Sequence, residues 1–319
     1  MGTERHLAAL VAIAASVGFL GAAGAAKADT REVGVYTPRV FIGDTSARAD
    51  YARRVAVALS AAVGHELHGR TFARRVDLDG FITAGQLGLV LVDPLVAVAR
   101  PDLLEPIAVG TGPEGTRPLV VAVSHRAARG LGSFAGLRLA TVDVDVKERW
   151  LVQNLLLEGV VALDAHLGGL VGLADVAELG TTLTARQAGV GLAYRAQVAA
   201  LGVEIVAELA GVALPVLCAV KGRVDEATIA SLRRAITQGL AWPAAGPFQR
   251  LTLSVASALR PLTVAVNQGA SGPPLEPLLW SPAPVVRLPV TGFLPTPNVP
   301  IPVPPTGARW QLPAFVEPK

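Results

Sequence analysis

The sequence predicts an α/β protein of two similar lobes, each a mostly parallel sheet flanked by helices, followed by a proline-rich tail. Three observations carry this. First, Leu87 to Val92 is an apolar run without alternation, as in strands of a parallel sheet covered on both faces. Second, Ile82 to Pro101 (ITAGQLGLVLVDPLVAVARP) is echoed by Leu183 to Gly202 (LTARQAGVGLAYRAQVAALG) at an offset of 101. The pairs Thr83/Thr184, Ala84/Ala185, Gln86/Gln187, Gly88/Gly189, Leu91/Leu192 and Ala99/Ala200 match. Each copy reads as a helix end, a glycine turn, an apolar strand and a loop. Third, 319 residues with 51% hydrophobic and 17% charged side chains suffice for about two domains with a large core.

In order, Arg31 to Tyr36 has strand character, and Pro38 and Gly43 mark a loop. Ser46 to Val63 is a predicted helix, with Tyr51, Val55, Leu59 and Val63 every four residues and Gly64 as its C-cap. A strand at Leu67 to Val76, a short helix at Asp77 to Gln86 capped by Asp77 or Asp79, and the Leu87 to Val92 strand complete a βαβαβ order, which implies a right-handed crossover. Further strands are expected at Ile107 to Val109, Leu119 to Val123, Arg138 to Val142, Glu204 to Leu209 and Leu214 to Val220. Further helices are expected at Val146 to Leu157 and Asp225 to Leu240, the latter with Ile229, Leu232, Ile236 and Leu240 at helical spacing, and at Gln249 to Leu259. Beyond Pro273 the composition changes: fourteen of the 24 prolines fall in the last 47 residues, and PNVPIPVPP has polyproline II character.

The first residues read as a secretory signal. Arg5 precedes the apolar run Leu7 to Ala26, and Ala26-Lys27-Ala28 is a small-x-small cleavage site. Residues 1–28 are therefore expected to be removed, giving an exported, periplasmic or secreted chain with no later membrane span and no integral-membrane character. Losing Arg5, Lys27 and Glu4 leaves 26 basic against 24 acidic residues, a balance of +2 that gives no reason to expect nucleic acid. Arg48, Arg53, Arg54, Arg70, Arg74 and Arg75 make the start of the mature chain locally basic, which a solvated helix and strand face explains. The single cysteine, Cys218, sits in an apolar run as a small buried hydrophobe.

From Glu32 to about Leu240 the chain resembles the PhnD-like phosphate/phosphonate-binding proteins, type II periplasmic solute-binding proteins of ABC transporters. The resemblance rests on REVGVYTP, AVGHEL, ITAGQLGLVLVDP, LVVAVSH followed by LGSFAGLRLATVD, ARQAGVGLAYRAQV, and ALPVLCAVKGRVDEATIASLRRAI, in that order. It implies the type II periplasmic-binding-protein fold, with residues 29–122 and 214–262 as lobe one, 123–213 as lobe two and 263–319 as the tail. LVVAVSH and LPVLCAV are the implied hinge strands, expected to pair side by side. The implied function is capture of a small-molecule ligand between the lobes, with an ABC transporter permease as partner. The chain departs from the family at Gly88 and Gly189, where aspartate is usual. It departs again at Val142-Asp143-Val144-Asp145-Val146-Lys147, where the family has a Ser/Thr-Ser-Gly run holding phosphonate oxygens. Two carboxylates at a helix N-terminus repel an oxyanion. They favour a cationic or hydroxyl-rich ligand, with Lys147 a partial offset.

No catalytic set emerges, so no enzyme activity is expected. His65-Glu66-Leu67-His68 has its histidines three apart, unlike the H-E-x-x-H zinc motif, and no other metal or cofactor site is expected. Gly110-Thr111-Gly112-Pro113-Glu114-Gly115 has the spacing of a dinucleotide loop but no helix after it, so it reads as a turn. Open α/β sheets place ligands beyond the carboxyl ends of their strands. That rule selects Tyr36, Thr37 and Asp93 from lobe one, and Asp143, Lys147 and Tyr194 from lobe two, as ligand-binding candidates. The competing reading is a degenerate binding-protein fold that serves as a structural or partner-binding protein, without small-ligand transport.

Overall fold

A computed structural model describes residues 31–112, 119–124, 131–142, 145–157 and 163–271. The expected signal segment, most of the proline-rich tail and Asp143 lie outside the described residues, as do Pro113 to Gly115 of the glycine-rich sequence. Two sheets form the frame. The first has the strand order β11-β4-β10-β3-β1-β2 and the second β7-β6-β8-β5-β9. In the first, β1 (Glu32–Tyr36) lies parallel to both β2 (His68–Thr71) and β3 (Leu89–Val92). There β10 (Val216–Val220) runs antiparallel between β3 and β4 (Leu104–Thr111), and β11 (Arg250–Thr252) pairs with β4. In the second, β6 (Leu139–Val142) is parallel to β7 (Leu170–Leu173) and β8 (Val190–Tyr194). The strand β5 (Leu119–Ser124) runs antiparallel to β8 and β9 (Glu204–Gly211).

Both sheets are therefore mixed, which corrects the expectation of mostly parallel ones. The expected hinge strands do not pair: β5 lies in the second sheet and β10 in the first. The chain crosses between sheets in the connections before β5 and after β9. There the Gly110 amide donates to the Pro215 carbonyl at 2.8 Å.

The helices follow their side-chain chemistry. Helix α1 (Thr45–Val63) starts at Asp44, whose carboxylate accepts from the Ala47 amide, and ends at Gly64 in the left-handed conformation (φ 80°). Its face of Tyr51, Ala52, Val55, Ala56 and Leu59 is buried. It lies so close to β2 that a Cβ on Gly69 would stand 2.0 Å from the Ala52 carbonyl oxygen, which explains a glycine in that strand. Helix α2 (Arg75–Thr83) begins two residues earlier than Asp77 and has no side-chain cap. A short α3 (Pro94–Ala99) follows β3, capped by Asp93. In the second lobe, α4 (Val146–Trp150) continues into a π-helical turn, Leu151–Leu156. After α5 (Leu163–His166), a 3₁₀ turn, Val176–Glu178, capped by Asp175, leads into α6 (Leu179–Thr184). Past β8 come a second 3₁₀ turn, Arg195–Gln197, and α7 (Val198–Leu201). Helix α8 (Glu226–Thr237) buries Ile229, Leu232 and Ile236. The last helix, α9 (Val255–Ser271), begins after β11 and not at Gln249. It packs on α3 from one lobe and on α4 and the π turn from the other.

The sequence echo is also a structural echo. The amides of Ala84, Gly85 and Gln86 donate to the carbonyls of Gly80, Ile82 and Phe81; those of Ala185, Arg186 and Gln187 donate to Thr181, Leu183 and Thr182, each 101 residues on. Gly85 (φ 70°) and Arg186 (φ 59°) occupy the same left-handed position, which glycine tolerates and arginine does not favour. β3 and β8 follow in register with the repeat.

Candidate functional site

Residues at and just beyond the carboxyl ends of the parallel strands β1 and β3 in the first sheet and β6 and β8 in the second meet one another, at the place where open α/β sheets bind ligands. The loop after β1 is folded back by a Val40 amide bond to the Thr37 carbonyl (3.0 Å), which directs Arg39 toward the second lobe. Arg39 is 9% exposed. Its Nε lies 2.9 Å from Oδ2 of Asp93, the residue ending β3. Its Nη1 donates to Oε1 of Glu148 at 3.1 Å, and its Nη2 donates to Oε2 of the same carboxylate. Glu148, on α4 of the second lobe, is fully buried and also accepts from the Thr141 hydroxyl at the end of β6. One guanidinium thus joins a carboxylate from each lobe.

Backbone contacts reinforce the junction. Gln197, beyond β8, donates from Nε2 to the Arg39 carbonyl (2.6 Å) and accepts the Phe41 amide on Oε1 (2.8 Å). The Val176 amide donates to the Pro38 carbonyl at 2.8 Å. Around the rim, Arg48 pairs with Asp175, and Arg75 Nη1 bonds Asp145 Oδ2 at 2.7 Å. Lobe one contributes the arginines here and lobe two the carboxylates. Two of the six arginines read as a solvated basic face, Arg48 and Arg75, are therefore inter-lobe ligands for carboxylates. Of the others, Arg53 pairs with Asp50, Arg74 with Asp77 and Arg70 with Glu32, while Arg54 lies over the Tyr51 ring.

Burial opposes the charge on Arg39, but Glu148 and Asp93 outweigh it and hold the guanidinium protonated well beyond its ordinary range. Complete burial pushes the Glu148 carboxyl above its usual range, with Arg39 and Thr141 opposing. The Tyr194 phenol is raised by burial and then by the Asp93 charge, so it stays neutral. Burial raises the Cys218 thiol too, which keeps it protonated and unreactive.

The sequence-derived candidates fall in different places. Asp93 is a buried member of the cluster. Tyr194 is 1% exposed, lies within its field, and donates to the Ala213 carbonyl at 2.8 Å. Tyr36 is packed in the lobe-one core with Phe72, Leu78 and Val92. Thr37 borders a cavity of about 20 Å³ between the lobes, with Arg48 and Asp175 on its wall. That volume is about one water. Lys147 reaches across the junction to the Ala99 carbonyl (3.1 Å). Asp145 does not stand free at the helix start: it caps α4 by accepting the Glu148 amide at 2.7 Å and holds Arg75.

Sequence reasoning passed over Arg39, Thr141, Glu148 and Gln197. The available signal for Glu148 was its place three residues after Asp145, the spacing of a capping box. That spacing suggests a carboxylate turned back to its own helix, yet this one is turned to Arg39. Among the described residues no group of three His, Cys, Asp or Glu is placed to hold a metal, and no helix is long and apolar enough to cross a membrane.

No protein-family model matches the chain, and no curated protein matches its sequence. Solved structures do match its fold. A Xanthomonas citri protein solved with chloride superposes with a TM-score of 0.54 at 15% identity, over 76% of this chain and 99% of that one. The same protein solved with ATP gives 0.52 at 15% identity, over 75% and 97%. The binding-protein component of a phosphonate ABC transporter from Pseudomonas aeruginosa gives 0.55 at 9% identity, over 75% and 87%. The fold is that of the two-lobed periplasmic binding proteins.

Proposed function

We propose that the chain is an exported solute-binding protein that captures a small ligand between its lobes and presents it to an ABC transporter permease. The observation that carries this reading is the convergence of both sheets' parallel strand ends on one crevice containing Asp93, Glu148, Arg39, Tyr194 and Gln197. The fold shared with a phosphonate transporter's binding component supports it. Tyr36, Thr37, Asp93, Asp143, Lys147 and Tyr194 are the proposed ligand contacts, with Glu148 added. Phosphonate itself fits this crevice poorly, because its charge is set by the Asp93 and Glu148 carboxylates around a single guanidinium. A cationic or hydroxyl-rich ligand fits better. The mature chain is proposed to begin at Asp29, in the periplasm or outside the cell.

The second reading, a binding-protein fold retained for a structural or partner-binding role, is favoured by one observation: among the described residues Arg39, Asp93 and Glu148 occupy the crevice themselves, and the cavity beside Thr37 measures about 20 Å³. Thermal-shift screening of the secreted protein separates the two. A solute at a hundredfold its Kd stabilises by about 2.7 kcal/mol and raises Tm. No shift with any cation, anion, amino acid, sugar or vitamin would favour the second reading.

A further inference from the structure

We propose that Arg39 is a tethered occupant of a guanidinium-binding site, and that this site closes the two lobes on each other without a free ligand. The proposal deepens the solute-binding reading by naming the ligand chemistry of the same crevice. It rests on that reading only in taking the crevice as a place where a free solute enters.

The site has the features of a receptor for a planar cation. Two carboxylates, Asp93 from the end of β3 and Glu148 from α4, approach the guanidinium along different edges. Both Glu148 oxygens accept from it in a fork, which a guanidinium satisfies and a point-charge ammonium does not. The Thr141 hydroxyl fixes the Glu148 carboxylate, and Asp93 is held by its bond to the Leu95 amide (2.9 Å). Each carboxylate is thus positioned by its own lobe, and the cation between them is the shared part. In proteins of this architecture, closure follows when a ligand binds both lobes better than either alone. Here a side chain makes those contacts from within the chain. A tethered group has a high effective concentration at its site. A free guanidinium solute must displace Arg39 and is held back by that competition.

The test is an Arg39→Ala variant of the full chain with methylguanidinium as probe, and methylammonium and urea as controls. Thermal shift and small-angle scattering are the readouts. Without a probe, Arg39→Ala should melt lower than the wild type and have a larger radius of gyration. Millimolar methylguanidinium should raise its Tm saturably and return its radius to the wild-type value, while methylammonium acts more weakly and urea not at all. The wild type should show no comparable shift. If Arg39→Ala does not fold in plain buffer, refolding with each probe is the same comparison, and recovery is expected with methylguanidinium alone. Absence of any methylguanidinium effect on Arg39→Ala, or an equal effect on the wild type, overturns the proposal. So does persistence of the effect when Glu148→Gln is added to Arg39→Ala. Rescue of Arg39→Ala with no ligand found for the wild type would leave the tethered site standing and remove the solute-capture reading. A wild-type ligand with no rescue would do the reverse.

Discussion

Glu148 is the residue on which the crevice turns, because burial and its partners act on it in opposite directions. Its carboxyl is moved up from 4.5, chiefly by burial, so the folded chain holds that proton to higher pH than the unfolded chain does. The stability this contributes is fully present below 4.5 and is lost as pH rises through the higher folded value. In Glu148→Gln that dependence is absent. The difference in urea midpoint between wild type and Glu148→Gln should therefore move against the wild type as pH rises from about 4 to about 8. A difference moving the other way would mean that Arg39 outweighs burial. Neither Arg39 nor Glu148 was legible in the sequence as a site residue. They are 109 positions apart, and a lone charge in a loop or in a helix first turn carries no mark of its partner. Asp93 and Tyr194 were legible as strand-end positions, because strand ends follow from the apolar runs before them.

At the scale of elements, periodicity and caps located α1 and α8, and the echo located β3 and β8. What stayed hidden was strand direction. β10 is apolar throughout and buried on both faces, so its composition is that of a parallel strand although it runs antiparallel between β3 and β4. The echo itself can be tested at its left-handed turn. Gly85→Ala puts a Cβ into positive φ and against the Arg223 guanidinium, and should cost about 1 kcal/mol or more. Arg186→Gly relieves the same backbone conformation one repeat later, where an L side chain costs about 1–2 kcal/mol, partly offset by glycine's freedom in the unfolded chain. It should raise stability by a few tenths to about 1 kcal/mol. Denaturant unfolding of the two variants should give shifts of opposite sign; shifts of the same sign would mean that the two turns are not equivalent.

Across the whole molecule, the two lobes are held together by ion pairs of unequal burial, and that inequality has a measurable consequence. Arg39 and Glu148 are 10% and 0% exposed at their side chains, while Arg75 and Asp145 are 17% and 35% exposed. Removing one member of the inner pair leaves the other charge buried without its partner, a loss of about 3–5 kcal/mol, whereas removing both leaves no stranded charge on that pair. A double-mutant cycle on Arg39→Ala and Glu148→Gln should thus show a coupling of several kcal/mol. The outer pair meets water on the Asp145 side, so its coupling, from Arg75→Ala and Asp145→Ala, should be about 1 kcal/mol or less. Salt sharpens the contrast, since the Debye length falls from about 10 Å at 0.1 M to about 3 Å at 1 M, and screening reaches exposed pairs far more than buried ones. The outer coupling should shrink toward zero at about 1 M salt while the inner one holds most of its value. Equal couplings, or an inner coupling that salt abolishes, would show that water reaches Arg39 and that the lobes stand open in solution.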